Sequence, residues 1–95
     1  MITIDQIKQE IQTVAEEYPI KKVELFGSYA DGTHTEQSDI DLLVEFTSPS
    51  ISLLTLSAMK YKLEERFHKE VDVIHGPLEE NSFLDVKEVI TIYEQ

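Results

Sequence analysis

Residues 39–46, DIDLLVEF, place an apolar residue at every even position and acids at 39, 41 and 45, with Leu43 the one apolar residue among them, the period of a β-strand whose two faces differ chemically. Successive strand side chains point to opposite sides, so Ile40, Leu42, Val44 and Phe46 share one face while Asp39 and Asp41 share the other. Upstream, a second apolar strand, KVELF, runs into Gly27-Ser28, and ten residues separate this turn from Asp39. Two carboxylates on one strand face, beside a backbone turn able to hold phosphate, form the arrangement that metal-dependent phosphoryl chemistry requires.

Composition narrows the setting. Ninety-five residues with 41% apolar content suit one folded domain, spanning 1–95, with one modest core. There is no cysteine, so neither a disulfide nor a thiolate zinc site is available. The first residues, MITIDQIKQE, lack the basic-then-apolar pattern of a signal peptide, and no apolar run nears the roughly 20 residues of a membrane span. A cytoplasmic protein without membrane contact is expected.

Nineteen acidic residues against eight basic ones give a net charge of −11. Direct nucleic-acid binding is disfavoured, because its affinity comes from phosphate neutralisation by Lys and Arg. Between Lys22 and Lys60 there is no Lys or Arg, yet Glu24, Asp31, Glu36, Asp39, Asp41 and Glu45 all lie there. Glutamates 24, 36 and 45 suit a solvated face. Two aspartates on one strand face raise each other's energy, and a divalent cation is the missing counter-charge.

The pattern predicts a helix over 4–18, with Thr3 and Gln6 as a capping box and Ile4, Ile7, Ile11, Val14 and Tyr18 on one face. Pro19 closes it. Strands are expected at 22–27, 39–46 and 70–75, with a short helical segment over 28–32. Ser52 caps a second long helix reaching 68, whose buried stripe is Leu56, Met59, Leu63 and Phe67. A last helix is expected over 82–94, from the spacing of Phe83, Val86, Val89, Ile90 and Tyr93. The order α-β-short α-β-α-β-α implies an α+β fold, a small mixed three-stranded sheet packed with helices.

Asp72 lies between Val71 and Val73, an apolar setting in which an unpaired carboxylate is costly. Brought beside Asp39 and Asp41 across the sheet, it completes a site of hard oxygen ligands suited to Mg²⁺ or Mn²⁺. Gly27 permits close backbone approach to a phosphate and Ser28 adds a hydroxyl donor. A Gly-Ser turn alone carries no weight; its combination with the spaced aspartates does.

GS-x10-DxD followed by a strand aspartate resembles the minimal nucleotidyltransferases (MNT domains) of the DNA polymerase β-like superfamily. The resemblance spans nearly the whole chain: the leading helix, GSYADG, SDIDLLVEF, LEERFHKE and VDVIH. It implies the minimal nucleotidyltransferase fold and the role of an MNT antitoxin, which transfers AMP from ATP to a tyrosine of a HEPN-domain ribonuclease toxin and silences it. Gly27 and Ser28 would then hold the nucleotide, Asp39 and Asp41 the metals, and Asp72 a metal or the hydroxyl proton. A homodimer or a hetero-oligomer with the toxin is the implied assembly. Two alternatives stay open: a catalytically weak module of the same fold that neutralises its partner by occlusion, and transfer to a small-molecule hydroxyl.

The sequence departs from the family turn, GS-x-A-R-G, by placing Asp31 where the arginine is expected. An aspartate there would repel a triphosphate, and Lys60, Lys62 or Arg66 are the basic residues left to compensate. His34 reads as an exposed loop residue, His68 as a helix-end charge and His75 as a strand terminus. Tyr29, Tyr61 and Tyr93 read as packing residues, with Tyr29 also placed to stack on a base.

Overall fold

A computed structural model describes residues 2–48, 50–76 and 89–95. Helix α1, Ile4–Ala15, opens on the expected capping box: the Thr3 side chain accepts from the Gln6 N–H, and the Gln6 side chain accepts from the Thr3 N–H at 2.8 Å. Ile7, Ile11 and Val14 form its buried face. The helix stops three residues short of the expectation. Its last turn tightens, with the Glu16 and Glu17 N–H groups bonding Thr13 and Val14, before Pro19 forces the chain to extend.

Strand β1, Ile20–Phe26, leads into the short helix α2, Ser28–Asp31, which Gly32 ends in the left-handed conformation. Strand β2 spans Ile40–Phe46, and helix α3, Leu53–Phe67, starts where the Ser52 hydroxyl accepts from the Thr55 N–H. Strands β3, Val71–His75, and β4, Ile90–Glu94, complete a four-stranded sheet in the order β3-β2-β1-β4. The α+β architecture agrees with expectation; the strand count does not.

The expected last helix is corrected here. Residues 90–94 form a strand antiparallel to β1, and the rest of that segment, up to 88, lies outside the described residues. Ile90, Thr91 and Ile92 are β-branched and Tyr93 is aromatic, which suits a pleated surface. Without them, the outer edge of β1 would leave a row of backbone donors and acceptors unpaired.

β2 pairs antiparallel with β1 and parallel with β3, and α3 supplies the crossover that a parallel pair needs. Helices α1 and α3 cover one sheet face. There Ile7, Ile11, Val14, Met59, Leu63 and Phe67 meet Val23, Leu25, Leu42 and Val44. The opposite face carries Phe26 and Glu24 on β1, Asp41 on β2 and Asp72 on β3.

Candidate active site

The parallel register places Asp41 directly beside Asp72, and the antiparallel register places Asp41 beside Phe26, one residue before the turn. Asp41 is therefore the centre of the cluster. Its pKa is pushed up from the ordinary 3.8 to about 6, first by burial, then by the Asp72 carboxyl within hydrogen-bonding reach and by repulsion from Asp72 and Asp39. Asp39 sits on the loop just before β2, and both Asp39 and Asp72 are exposed. Asp41 and Asp72 are brought together; Asp39 acts on Asp41 through its charge.

Gly27 closes the other side. Its φ is 76° and its ψ −153°, a region essentially restricted to glycine. A Cβ at this position would lie 2.3 Å from the Asp41 Oδ2 atom. The glycine is thus needed for the carboxylate to approach the backbone, a role invisible in the motif when it is read as a phosphate turn alone. The Gly27 carbonyl accepts from the Ala30 and Asp31 N–H groups, which fixes α2, and Ser28 begins that helix half-buried. The first N–H groups of α2 have no partner within the helix.

The spacer between turn and strand is tied down locally. The Thr35 N–H donates to the Ser38 hydroxyl at 2.8 Å, and the Ile40 N–H donates to the Glu70 carbonyl at 3.0 Å. Lys69 donates to the Glu36 carbonyl, and the Glu64 carboxylate accepts from the Val71 N–H at 3.1 Å. These bonds align the approach to β2 with the start of β3, and so hold the aspartates in register. Glu64 and Lys69 escaped the sequence reading because nothing local distinguishes them from other surface charges.

Asp31 is occupied by its own loop. Its Oδ1 accepts from the Thr33 N–H at 2.9 Å and from the Thr33 hydroxyl at 2.6 Å, and these bonds hold its pKa below the ordinary value. Two of the basic residues considered as substitutes for the missing arginine are otherwise engaged. Lys62 pairs with Glu17, and Arg66 pairs with Glu10 at 2.8 Å, both joining α3 to α1.

The remaining singled-out residues fall out differently. Tyr29 is buried and stacks on His34, with ring centroids 4.2 Å apart, so it does not offer an open ring to a base. His34 is half-buried rather than exposed. His68 caps α3 in the left-handed conformation, and His75 meets Phe46 edge-on. Tyr61 is not a packing residue; it is exposed.

Among the described residues, no three acidic or imidazole side chains close around a point tightly enough to enclose an ion unaided. Mg²⁺ does not require that. It is commonly bound through one or two carboxylates, with waters and substrate phosphates filling its shell. A carboxylate such as Asp41, whose ionisation is opposed by burial and by the acids beside it, fits such a cation, which would relieve the repulsion.

Comparison with known proteins agrees with this geometry. The family described as nucleotidyltransferase domain matches residues 5–95. A Methanocaldococcus jannaschii chain that carries the provisional name protein adenylyltransferase is 45% identical over 73 residues, covering 77% of each chain. Among solved structures, a toxin–antitoxin with AMP-PNP matches 93% of this chain and 73% of its own, with a TM-score of 0.74 at 21% identity. A tri-AMPylated Shewanella oneidensis HEPN toxin in complex with MNT antitoxin matches 98% of this chain and 74% of its own, with a TM-score of 0.69 at 17% identity. At those identities the structures speak for the fold alone. Among the described residues, no helix is long and apolar enough to cross a membrane. The sheet register, the family match along 5–95 and the relative at 45% identity together establish that this chain belongs to the nucleotidyltransferase domain family.

Proposed function

We propose that this chain is a metal-dependent antitoxin nucleotidyltransferase that transfers AMP from ATP to a tyrosine hydroxyl of a HEPN-domain ribonuclease toxin and thereby silences it. The observation that carries this reading is the Asp41–Asp72 pair on the open sheet face, with the pKa of Asp41 raised by burial and by its acidic neighbours. The adenylyltransferase name of the M. jannaschii relative and the toxin–antitoxin structures of the same fold support it.

Asp41 and Asp72, with Asp39 beside them, would hold Mg²⁺ or Mn²⁺, which when bound supplies charge neutralisation for the triphosphate. Gly27 and Ser28 would hold the nucleotide against this face. The tyrosine oxygen forms a bond to the α-phosphorus, the bond from that phosphorus to the bridging oxygen breaks, and pyrophosphate leaves. Asp72, exposed on β3, takes the phenol proton. Incubating the chain with its HEPN toxin, ATP and Mg²⁺ should add AMP-sized increments to the toxin by intact mass spectrometry. Neutralisation of the toxin with no increment would overturn the catalytic reading.

That second outcome, inhibition by occlusion, has one observation in its favour: Asp31 stands where the family turn carries an arginine. Thr33 holds its carboxylate, but the negative charge remains. Asp31→Arg is therefore expected to lower the KM for ATP several-fold with little change in kcat, as removal of a repulsion common to ground and transition states should. An unchanged KM would show that this position does not face the triphosphate.

A further inference from the structure

Helix α3 is apolar on two sides. One side, Met59, Leu63 and Phe67, is buried against the sheet. The other carries Leu53, Leu54 and Tyr61, which are 80%, 83% and 77% exposed, with Ser57 and Ala58 between them. At 100° per residue, Leu53, Ser57 and Tyr61 form one exposed row, and Leu54, Ala58 and Tyr61 an adjoining one. Their centre lies nearly opposite the buried stripe. Single exposed leucines need no explanation, but three large apolar side chains on one side of a helix, with only Ser57 and Ala58 between them, mark a surface that is covered in use. A helix apolar on both sides is normally buried on both.

Charge sharpens the point. No acidic residue occurs between Glu45 and Glu64, in a chain with 19 acids and a net charge of −11. The outer side of α3 from Leu53 to Tyr61 is therefore a clearing in an otherwise acidic surface, bounded by exposed Lys60 and, one turn beyond Tyr61, by exposed Glu65. Carboxylates at an interface centre would have to be desolvated, and their exclusion suits a buried contact. The same net charge selects the occupant. Two copies of this chain repel at long range, whereas an RNA-cleaving protein needs Lys and Arg to hold its substrate and is attracted.

We infer that the outer stripe of α3, centred on Leu54, Ala58 and Tyr61, is a docking surface for the HEPN partner, separate from the aspartates that act on it. This inference rests on the HEPN-partner half of the proposed function and does not depend on AMP transfer. Small Ala58 lets a partner helix or strand approach closely, with Leu53, Leu54 and Tyr61 as the anchors around it.

The test is the dissociation constant for the purified HEPN partner, measured for the wild-type chain, Leu54→Glu, Tyr61→Ala and Asp41→Asn. Leu54→Glu and Tyr61→Ala should each weaken the complex by about ten-fold or more. Both should keep the wild-type melting temperature and the wild-type melting shift on adding Mg²⁺ and ATP. Asp41→Asn should bind the partner as tightly as wild type while adding no AMP. Unchanged affinity in both α3 variants overturns the assignment. A lower melting temperature without loss of affinity would overturn it too, showing that the stripe is covered by this chain itself. If light scattering shows a wild-type dimer that Leu54→Glu dissociates, with the affinity for the partner intact, the occupant is a second copy and the assignment also fails. A wild-type chain that adds no AMP but loses partner affinity on Leu54→Glu overturns the catalytic reading and leaves the docking surface standing. A wild-type chain that binds no HEPN partner overturns both.

Discussion

Gly27→Ala is expected to cost about 2–3 kcal/mol of stability and to lower nucleotidyl transfer by about 10²-fold or more. Two effects combine. The backbone at Gly27 occupies a region that any side chain strains, and the added Cβ would meet the Asp41 Oδ2 atom at 2.3 Å. Something must move, and the atom in the way belongs to the central carboxylate of the site. Gly32→Ala is the matched control. Gly32 also has a positive φ, 82°, but nothing lies within 4 Å of the position its Cβ would take. It should cost about 1–2 kcal/mol, the left-handed penalty alone, and leave kcat unchanged. Melting curves and initial rates for the two variants separate backbone strain from displacement of Asp41. Equal losses of activity would show that the contact with Asp41 does not matter.

The parts of this molecule legible in its sequence are those fixed by local pattern. The two-residue period of 39–46 defines both faces of β2, and the Thr3–Gln6 capping box defines the start of α1. The pairing of Asp72 with Asp41 comes from β3 lying parallel beside β2; its apolar neighbours in sequence do not require it, since Asp72 is exposed on an edge strand. What remained hidden was decided by tertiary partners. Apolar residues at 83, 86, 89, 90 and 93 have the spacing of a helix, yet the β-branched and aromatic run 90–93 pairs with the open edge of β1 as β4.

The same holds for the charges and for α3. Lys62 and Arg66 read as free cations until α1 brings Glu17 and Glu10 opposite them. Periodicity shows that α3 has apolar residues able to form a core face, but only the sheet's position reveals that Leu53, Leu54 and Tyr61 turn away from it. Gly27 shows the limit most sharply. Its place in the motif suggests phosphate, while the register of Phe26 with Asp41 shows that the carboxylate is its nearest constraint.

Asp41→Asn should remove transfer activity by at least about 10³-fold, since it deletes the central carboxylate proposed to hold the metal. At neutral pH it should also make the metal-free chain more stable, which a merely structural aspartate would not do. The folded-state pKa of Asp41 is raised to about 6 from 3.8, so between those values the folded chain keeps a proton that the unfolded chain has released. Stability from this group therefore falls as pH rises from about 4 through 6, and the full penalty is present at pH 7.5. At face value the shift corresponds to about 3 kcal/mol. Water reaching the partly exposed carboxylate screens it to about 1–2 kcal/mol. By melting temperature, Asp41→Asn should match wild type only below about pH 3.8 and exceed it by roughly 5–10 °C at pH 7.5. Mg²⁺ should raise the wild-type value at pH 7.5, where Asp41 is ionised, far more than at pH 4.5, and should do little for the variant. Because lower pH also relieves the general repulsion of a −11 chain, the informative quantity is the gap between variant and wild type. A gap independent of pH, or a variant less stable at pH 7.5, would mean that Asp41 is not the strained carboxylate that a bound cation is needed to relieve.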